Sequence, residues 1–283
     1  MKIRIGLIVA AFAALGIVLA ACTGNKENKM TVDSLKKKSL ELGDLTSVSY
    51  RYGGGMEGES ESFTLEITDG YGDLTVSESP YHSAAMVVRS YNVDVERVEK
   101  IAAYVSEYNL AAWGDLPQSE YIALDAPTSS YSVCYDNSSV GGSKREYYTV
   151  SSDDEYPEGG GEVLGKVRTM LLEMVDPQEM NNAYVVGEDG EELRGDEAAM
   201  RVVQTRLPEL VSRYGGDLEG TVIMDEGLES IEDETYFVFS IGTDNGASVV
   251  REAFIAVRND YSRLMKMDPL TGEWEQIYVS VTG

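Results

Sequence analysis

Side chains that carry most protein chemistry are scarce in this chain of 283 residues, which has one histidine, His82, and two cysteines, Cys22 and Cys134. A Ser-His-Asp or Cys-His system would have to use His82. It sits in "SPYHSAA", a loop between strand patterns, and no strand–elbow–helix pattern surrounds any serine. His82 therefore reads as a surface residue. Ser34-Leu35-Lys36-Lys37 fits a Ser-x-x-Lys pattern, but no partner motif accompanies it. One histidine and one cysteine besides Cys22 cannot build the usual four-ligand zinc set without carboxylates. Calcium needs only oxygen ligands. "TDGYGD", "SSDDE", "GEDGEE" and "MDEGLESIEDE" are acidic loops, yet none has the spacing of the twelve-residue calcium loop. Gly53-Gly54-Gly55 is no phosphate cradle, because no helix opens after it and Glu57, Glu59 and Glu61 would repel phosphate. Carboxylate pairs for glycoside cleavage are numerous among 49 acidic residues, and that abundance singles out none of them. The sequence thus predicts no catalytic residue, no metal ligand and no cofactor.

The address is more legible. Lys2 and Arg4 precede an uncharged, almost wholly apolar run over residues 5–21. This is the layout of a secretory signal, slightly short for a membrane-spanning helix. Leu19-Ala20-Ala21-Cys22 closes the run. The four residues resemble a bacterial lipobox. The resemblance implies cleavage before Cys22 and a diacylglyceryl thioether on its sulfur. Each buried methylene is worth ~0.8 kcal/mol, so two or more acyl chains hold firmly where one does not. The expectation is an extracytoplasmic protein on the cell membrane, anchored by lipid and not spanning it. Residues 1–21 are then the signal peptide and 22–43 a lipidated tether.

Composition sets further limits. The net charge is −26, and loss of Lys2 and Arg4 with the leader makes the mature chain more acidic still. Nucleic acid wants a basic face and is excluded as a partner. The exception is a neck holding Lys26, Lys29, Lys36, Lys37 and Lys38. It suits anionic headgroups at ~1 kcal/mol per basic residue, or is simply a solvated tether. With Cys22 acylated, Cys134 has no partner for a disulfide. It lies in "SSYSVCYD", whose alternation marks a strand, and reads as a structural, half-buried thiol. The 18 tyrosines against 5 phenylalanines suggest half-exposed strand faces that line a sugar or peptide surface or are merely solvated.

Two α+β domains follow from the periodicities, each an antiparallel sheet packed with one or two helices. In residues 44–176, strands are predicted at "TSVSYRYGGG", "SFTLEIT", "GDLTVSE", "SAAMVVRS", "SSYSVCYD" and "KREYYTVS". Val95, Val98, Ile101, Ala102 and Val105 give a helix capped by Asp94, and "EVLGKVRTMLLEMV" gives a second, stopped at Asp176-Pro177. "DPQEMNN" marks a boundary. From 183 to 283, "AYVV" and "GEELRG" flank an acidic turn. A helix capped by Asp196 then runs to Gly215-Gly216, kinked or split by Pro208, and a meander of strands ends at "EWEQIYVSV".

"TYFVFSIG" and "REAFIAVRNDYSRLMKMDPLTGEW" resemble PepSY-like and cystatin-like modules of secreted bacterial proteins, with Asp268, Thr271, Gly272 and Trp274 carrying the likeness. "YRYGGG" and "NLAAW" are similar to clostridial-type lipoproteins. The PepSY likeness implies contact with a protein partner rather than chemistry. The expected function is therefore a membrane-anchored, non-catalytic binding or interaction module. Its partners are membrane lipid through Cys22 and a cationic protein or another cell-envelope component. A carboxylate-dependent surface hydrolase and a purely structural spacer are the alternatives.

Overall fold

The computed structural model describes residues 30–280 apart from 56–57, 81–84, 118–125, 188, 213–219 and 269. Cys22, His82, Lys26, Lys29 and Gly215-Gly216 lie outside the described residues. The fold is α+β, with two antiparallel sheets. The larger sheet holds β1 (Asp44–Gly53), β2 (Ser60–Thr68), β3 (Tyr71–Ser79), β4 (Met86–Val93), β5 (Thr128–Asp136), β6 (Glu146–Ser151), β7 (Met180–Val186) and β8 (Glu192–Leu193). Its strand order is β6-β5-β1-β2-β3-β4-β7-β8. The smaller is a meander of β9 (Thr221–Ile231), β10 (Glu234–Asp244), β11 (Val249–Arg258), β12 (Arg263–Met267) and β13 (Trp274–Val279).

Local chemistry explains most of these elements. Asp69 and Gly70, at φ 52° and 83°, make the doubly positive turn that joins β2 to β3 with matching twist. After the short helix α1 (Val32–Lys36), helix α2 (Val95–Tyr108) starts where the Asp94 carboxylate accepts the Arg97 N–H at 2.8 Å. It ends at Asn109 in the left-handed conformation. Its Val98, Ile101 and Val105 meet Val163, Leu164, Val167 and Leu171 of α3 (Gly160–Leu172) over one face of the larger sheet. Trp113, fully buried in a 3₁₀ turn after α2, completes this first core. Cys134 also is buried rather than half-buried.

Several expectations change. The helix expected to stop at Asp176-Pro177 ends at Leu172, and Asp176 instead caps a 3₁₀ turn through the Gln178 N–H at 2.9 Å. Helix α4 (Gly195–Ser212) begins before Asp196. Its first N–H is taken by the Tyr261 hydroxyl at 2.9 Å, while Asp196 and Glu197 sit in the first turn, where the helix dipole favours them. Pro208 lies inside α4 without ending it. "MDEGLESIEDE" is mainly strand β9, and only Glu232-Asp233, both at positive φ, forms the turn.

The polar stretch expected as a boundary runs inside the larger sheet. Its last three residues, Met180-Asn181-Asn182, open β7, which pairs with β4 from Met86↔Val186 to Tyr91↔Met180. A second core then forms between that end of the sheet, α4 and the smaller sheet. It joins Val87 and Val185 to Ala199, Val203, Phe239, Ile255, Val257 and Leu264. Each fully buried aliphatic or aromatic side chain there is worth ~1.5–3 kcal/mol.

Residues 31–42, expected as tether, are packed on the body. Thr31 and Ser34 form a capping box that starts α1, which uses the Ser34 hydroxyl in structure. Leu35 is buried in the first core. Asn109 Nδ2 donates to the carbonyls of Leu35 at 2.9 Å and Lys38 at 2.7 Å. Lys36 and Lys38 pair with Glu107 and Asp115 on the body, leaving only Lys37 of these three without an ion pair among the described residues. Gly43 brings the chain into β1 against the Asp136 carbonyl, so closely that a Cβ would stand 1.9 Å from that oxygen.

Candidate functional site

The two cores meet along one face of the larger sheet, and a cleft lies at the junction. Strand alternation builds it. Tyr50, Phe63, Val76 and Arg89 form one row across β1 to β4, through the pairs Tyr50↔Phe63, Phe63↔Val76 and Val76↔Arg89. The next row on the same face is Tyr52, Glu61, Glu78 and Val87. The inward pattern thus turns from apolar to charged just where the sheet passes from the first core to the second. The resulting cleft measures about 390 Å³. Its walls include Tyr52, Glu59, Glu61, Glu78, Arg168 of α3, Arg206 of α4 and Tyr278 of β13.

Placing Glu61 opposite Glu78 is unfavourable on its own, since like charges facing each other across strands repel. Guanidinium groups resolve this. Arg168 grips Glu61 with two bonds, Nε to Oε1 at 2.7 Å and Nη2 to Oε2 at 3.1 Å. Such a fork-to-fork pair is among the stronger hydrogen-bonded ion pairs. Arg89, fully buried, pairs with Glu78. Arg89 also donates from Nε to the Asp260 carbonyl at 2.9 Å and from Nη2 to the Tyr261 carbonyl at 3.2 Å. These carbonyls belong to the β11–β12 turn of the smaller sheet, so a single guanidinium ties the two sheets together behind the cleft.

Arg206, which also lines the cleft, stands on the buried stripe of α4 with Ala199, Val202, Val203 and Leu210. Its guanidinium lies 3.6 Å from the centre of the Tyr278 ring, a cation–π contact. Burial, with the nearby Glu78 charge, raises the Tyr278 phenol above its ordinary value against the pull of Arg206. Tyr50 is pushed up to about 12, by burial first and then by Glu61.

Residues singled out by sequence do not converge here. Ser34 and Cys134 are elsewhere in the fold, and Gly53–Gly55 close the β1 end, where the Gly54 N–H donates to the Glu59 carbonyl at 2.8 Å. Among the described residues no group of three or more histidine, cysteine or acidic side chains is arranged to hold a metal. No described helix is long and apolar enough to cross a membrane. Glu59 and Glu61 stand out in the sequence only as charges that would repel phosphate, and among so many acids nothing marks them or Glu78 as part of a site. The available signal is parity: Glu61, Glu78 and Arg89 each stand two residues from Phe63, Val76 and Tyr91 and so share their inward face, and Arg206 falls on the apolar stripe of its helix.

No family model matches the chain, and neither a curated protein nor a solved structure is significantly similar to it.

Proposed function

We propose that this is an extracytoplasmic lipoprotein, anchored through Cys22, whose body is a non-catalytic binding module with the cleft between the two cores as its site. The lipobox-like Leu19-Ala20-Ala21-Cys22 supports the anchor. The observation that carries the binding reading is the engagement of both inward carboxylates: Arg168 occupies both oxygens of Glu61, and Arg89 pairs with Glu78. A general acid or base must exchange a proton with its substrate, and a carboxylate clamped on both oxygens is poorly placed to do so. Fixed ion pairs instead offer preorganised donors and acceptors to a bound ligand. The PepSY-like likeness of the C-terminal region also favours contact over chemistry.

One observation favours the hydrolase: two carboxylates, Glu61 and Glu78, adjoin in one cleft. A screen of dipeptides and neutral saccharides by thermal shift separates the readings. A ligand that raises the melting temperature, is recovered unaltered and loses its effect in Tyr278→Ala supports the binding module. Turnover lost in Glu61→Gln or Glu78→Gln moves the assignment to the hydrolase, and no response to any ligand leaves the spacer. Labelled palmitate tests the anchor, since Cys22→Ala is expected to abolish incorporation.

A further inference from the structure

Two charged groups of the cleft are not consumed by its internal pairs. Arg206 is 8% exposed and makes one hydrogen bond, a long one of 3.4 Å from Nη1 to Glu209. A guanidinium has five N–H donors in a planar fork. The others on Arg206, which stacks on the Tyr278 ring, have no hydrogen-bond acceptor among the described residues. Glu59 stands exposed at the cleft mouth, with no hydrogen bond or ion pair to its carboxylate among the described residues. Tyr278 lies within the electrostatic reach of both, beneath the Arg206 guanidinium and near the Glu59 charge.

The geometry points to a small zwitterion, an amino acid or dipeptide, as the ligand class of this cleft. The inference rests on the binding reading above and names what is bound. The ligand carboxylate takes the spare donors of Arg206, its ammonium group faces Glu59, and its body lies against the rings of Tyr52 and Tyr278. Each alternative meets an obstacle. A net anion is repelled by a chain of charge −26. A simple cation gains nothing from the buried Arg206. A neutral saccharide makes no use of the two unlike charges of the cleft. The volume of about 390 Å³ sits at the small end of ligand pockets, which suits one or two amino-acid residues.

The test is calorimetric titration of the full chain, solubilised in detergent, with a dipeptide library, the same dipeptides amidated at the C-terminus or acetylated at the N-terminus, and a neutral disaccharide. Free dipeptides are expected to bind. Amidation is expected to weaken binding roughly 10- to 100-fold, as loss of a charged hydrogen-bond partner does, and Arg206→Gln is expected to reproduce that loss. Acetylation and Glu59→Gln should each cost only a few-fold, because that contact is solvent-exposed. If Arg206→Gln fails to fold, the capped ligands on the unmodified chain decide the matter. Equal affinity for free and amidated dipeptides overturns the inference, as does the absence of dipeptide binding. Binding of the disaccharide alone, lost in Tyr278→Ala, overturns it while the binding reading stands. Hydrolysis of the dipeptide defeats the binding reading itself.

Discussion

Glu61 and Glu78 face each other directly across β2 and β3, and each is answered by an arginine from a different element. Arg168 reaches Glu61 from α3 in the first core. Arg89 reaches Glu78 from β4 and continues to the β11–β12 turn beyond the second core. The charged row is therefore both a cleft wall and a joint between the two halves of the fold.

Breaking that joint at one partner leaves the other charge buried. Arg89→Met is expected to destabilise the chain by about 3–5 kcal/mol, measured by urea denaturation. Arg89→Met combined with Glu78→Gln should cost clearly less than the sum of the single changes, since the uncompensated carboxylate is gone. Arg168→Met should cost less than Arg89→Met, because Arg168 is 34% exposed at its side chain against 1% for Arg89. Additive effects for the Arg89 and Glu78 changes would show that the pair is not coupled.

Because Ala85 and Val87 share a core with Phe239 and Ile255, both sheets are predicted to unfold together. The two tryptophans provide a probe in each half, Trp113 in the first core and Trp274 on β13. In a Trp274→Phe variant, fluorescence from Trp113 should report the same urea midpoint as far-ultraviolet circular dichroism. Phe239→Ala should shift both by about 3–5 kcal/mol. The fragment 183–283, which the sequence suggests as an independent domain, is expected to show no cooperative transition, since α4 loses the apolar end of β4. Two separated transitions in the full chain would contradict the shared core.

The docked neck makes a prediction about proteolysis. Lys36, Lys37 and Lys38 are trypsin sites held on the body by Leu35 and by the two hydrogen bonds from Asn109. Cleavage there should be slow in the native chain. Leu35→Ala removes about 2 kcal/mol of docking and should accelerate cleavage roughly 30-fold, read by mass spectrometry of early fragments. Equal rates in both chains would mean that the neck is not held.

How far the sequence foretells this fold depends on the range of the interaction. The β2–β3 hairpin is legible because Asp69-Gly70 is a local turn signal, and α2 is legible because Asp94 and the Val98–Ile101–Val105 stripe are local too. The meander from β9 to β13 follows the order of the chain, so neighbours in sequence are neighbours in space. The return of β7 to β4 spans about ninety residues, and nothing near Met180 encodes that partner. "DPQEMNN" is polar in either case: Asn181 Nδ2, for example, donates to Asn92 Oδ1 at 2.9 Å. Docking of α1 depends on Asn109, far along the chain, and a run of lysines gives no hint of it. The cleft is hardest to read, because its charged residues are noticed only once the strand register shows which way they face.

Alkaline pH tests how deeply the tyrosines are held. Tyr50, Tyr104, Tyr135 and Tyr156 are each pushed up to about 12 from the ordinary 10.0, with burial the leading cause in every case. Neutral phenol is the protonated form, so the folded chain holds these protons more tightly than the unfolded chain does. The stabilisation they bring is fully present below pH 10 and is lost as the pH rises through about 12. Through these groups stability should therefore not change with pH near neutrality and should fall steeply between pH 10 and 12. Two measurements check this. Urea midpoints should decline over that interval, and the phenolate absorbance of these four rings at 295 nm should appear only as circular dichroism reports unfolding. Phe substitution at Tyr135, a ring in the first core against Tyr148, should flatten the decline. A single titration step near pH 10 with no change in the urea midpoint would refute the account.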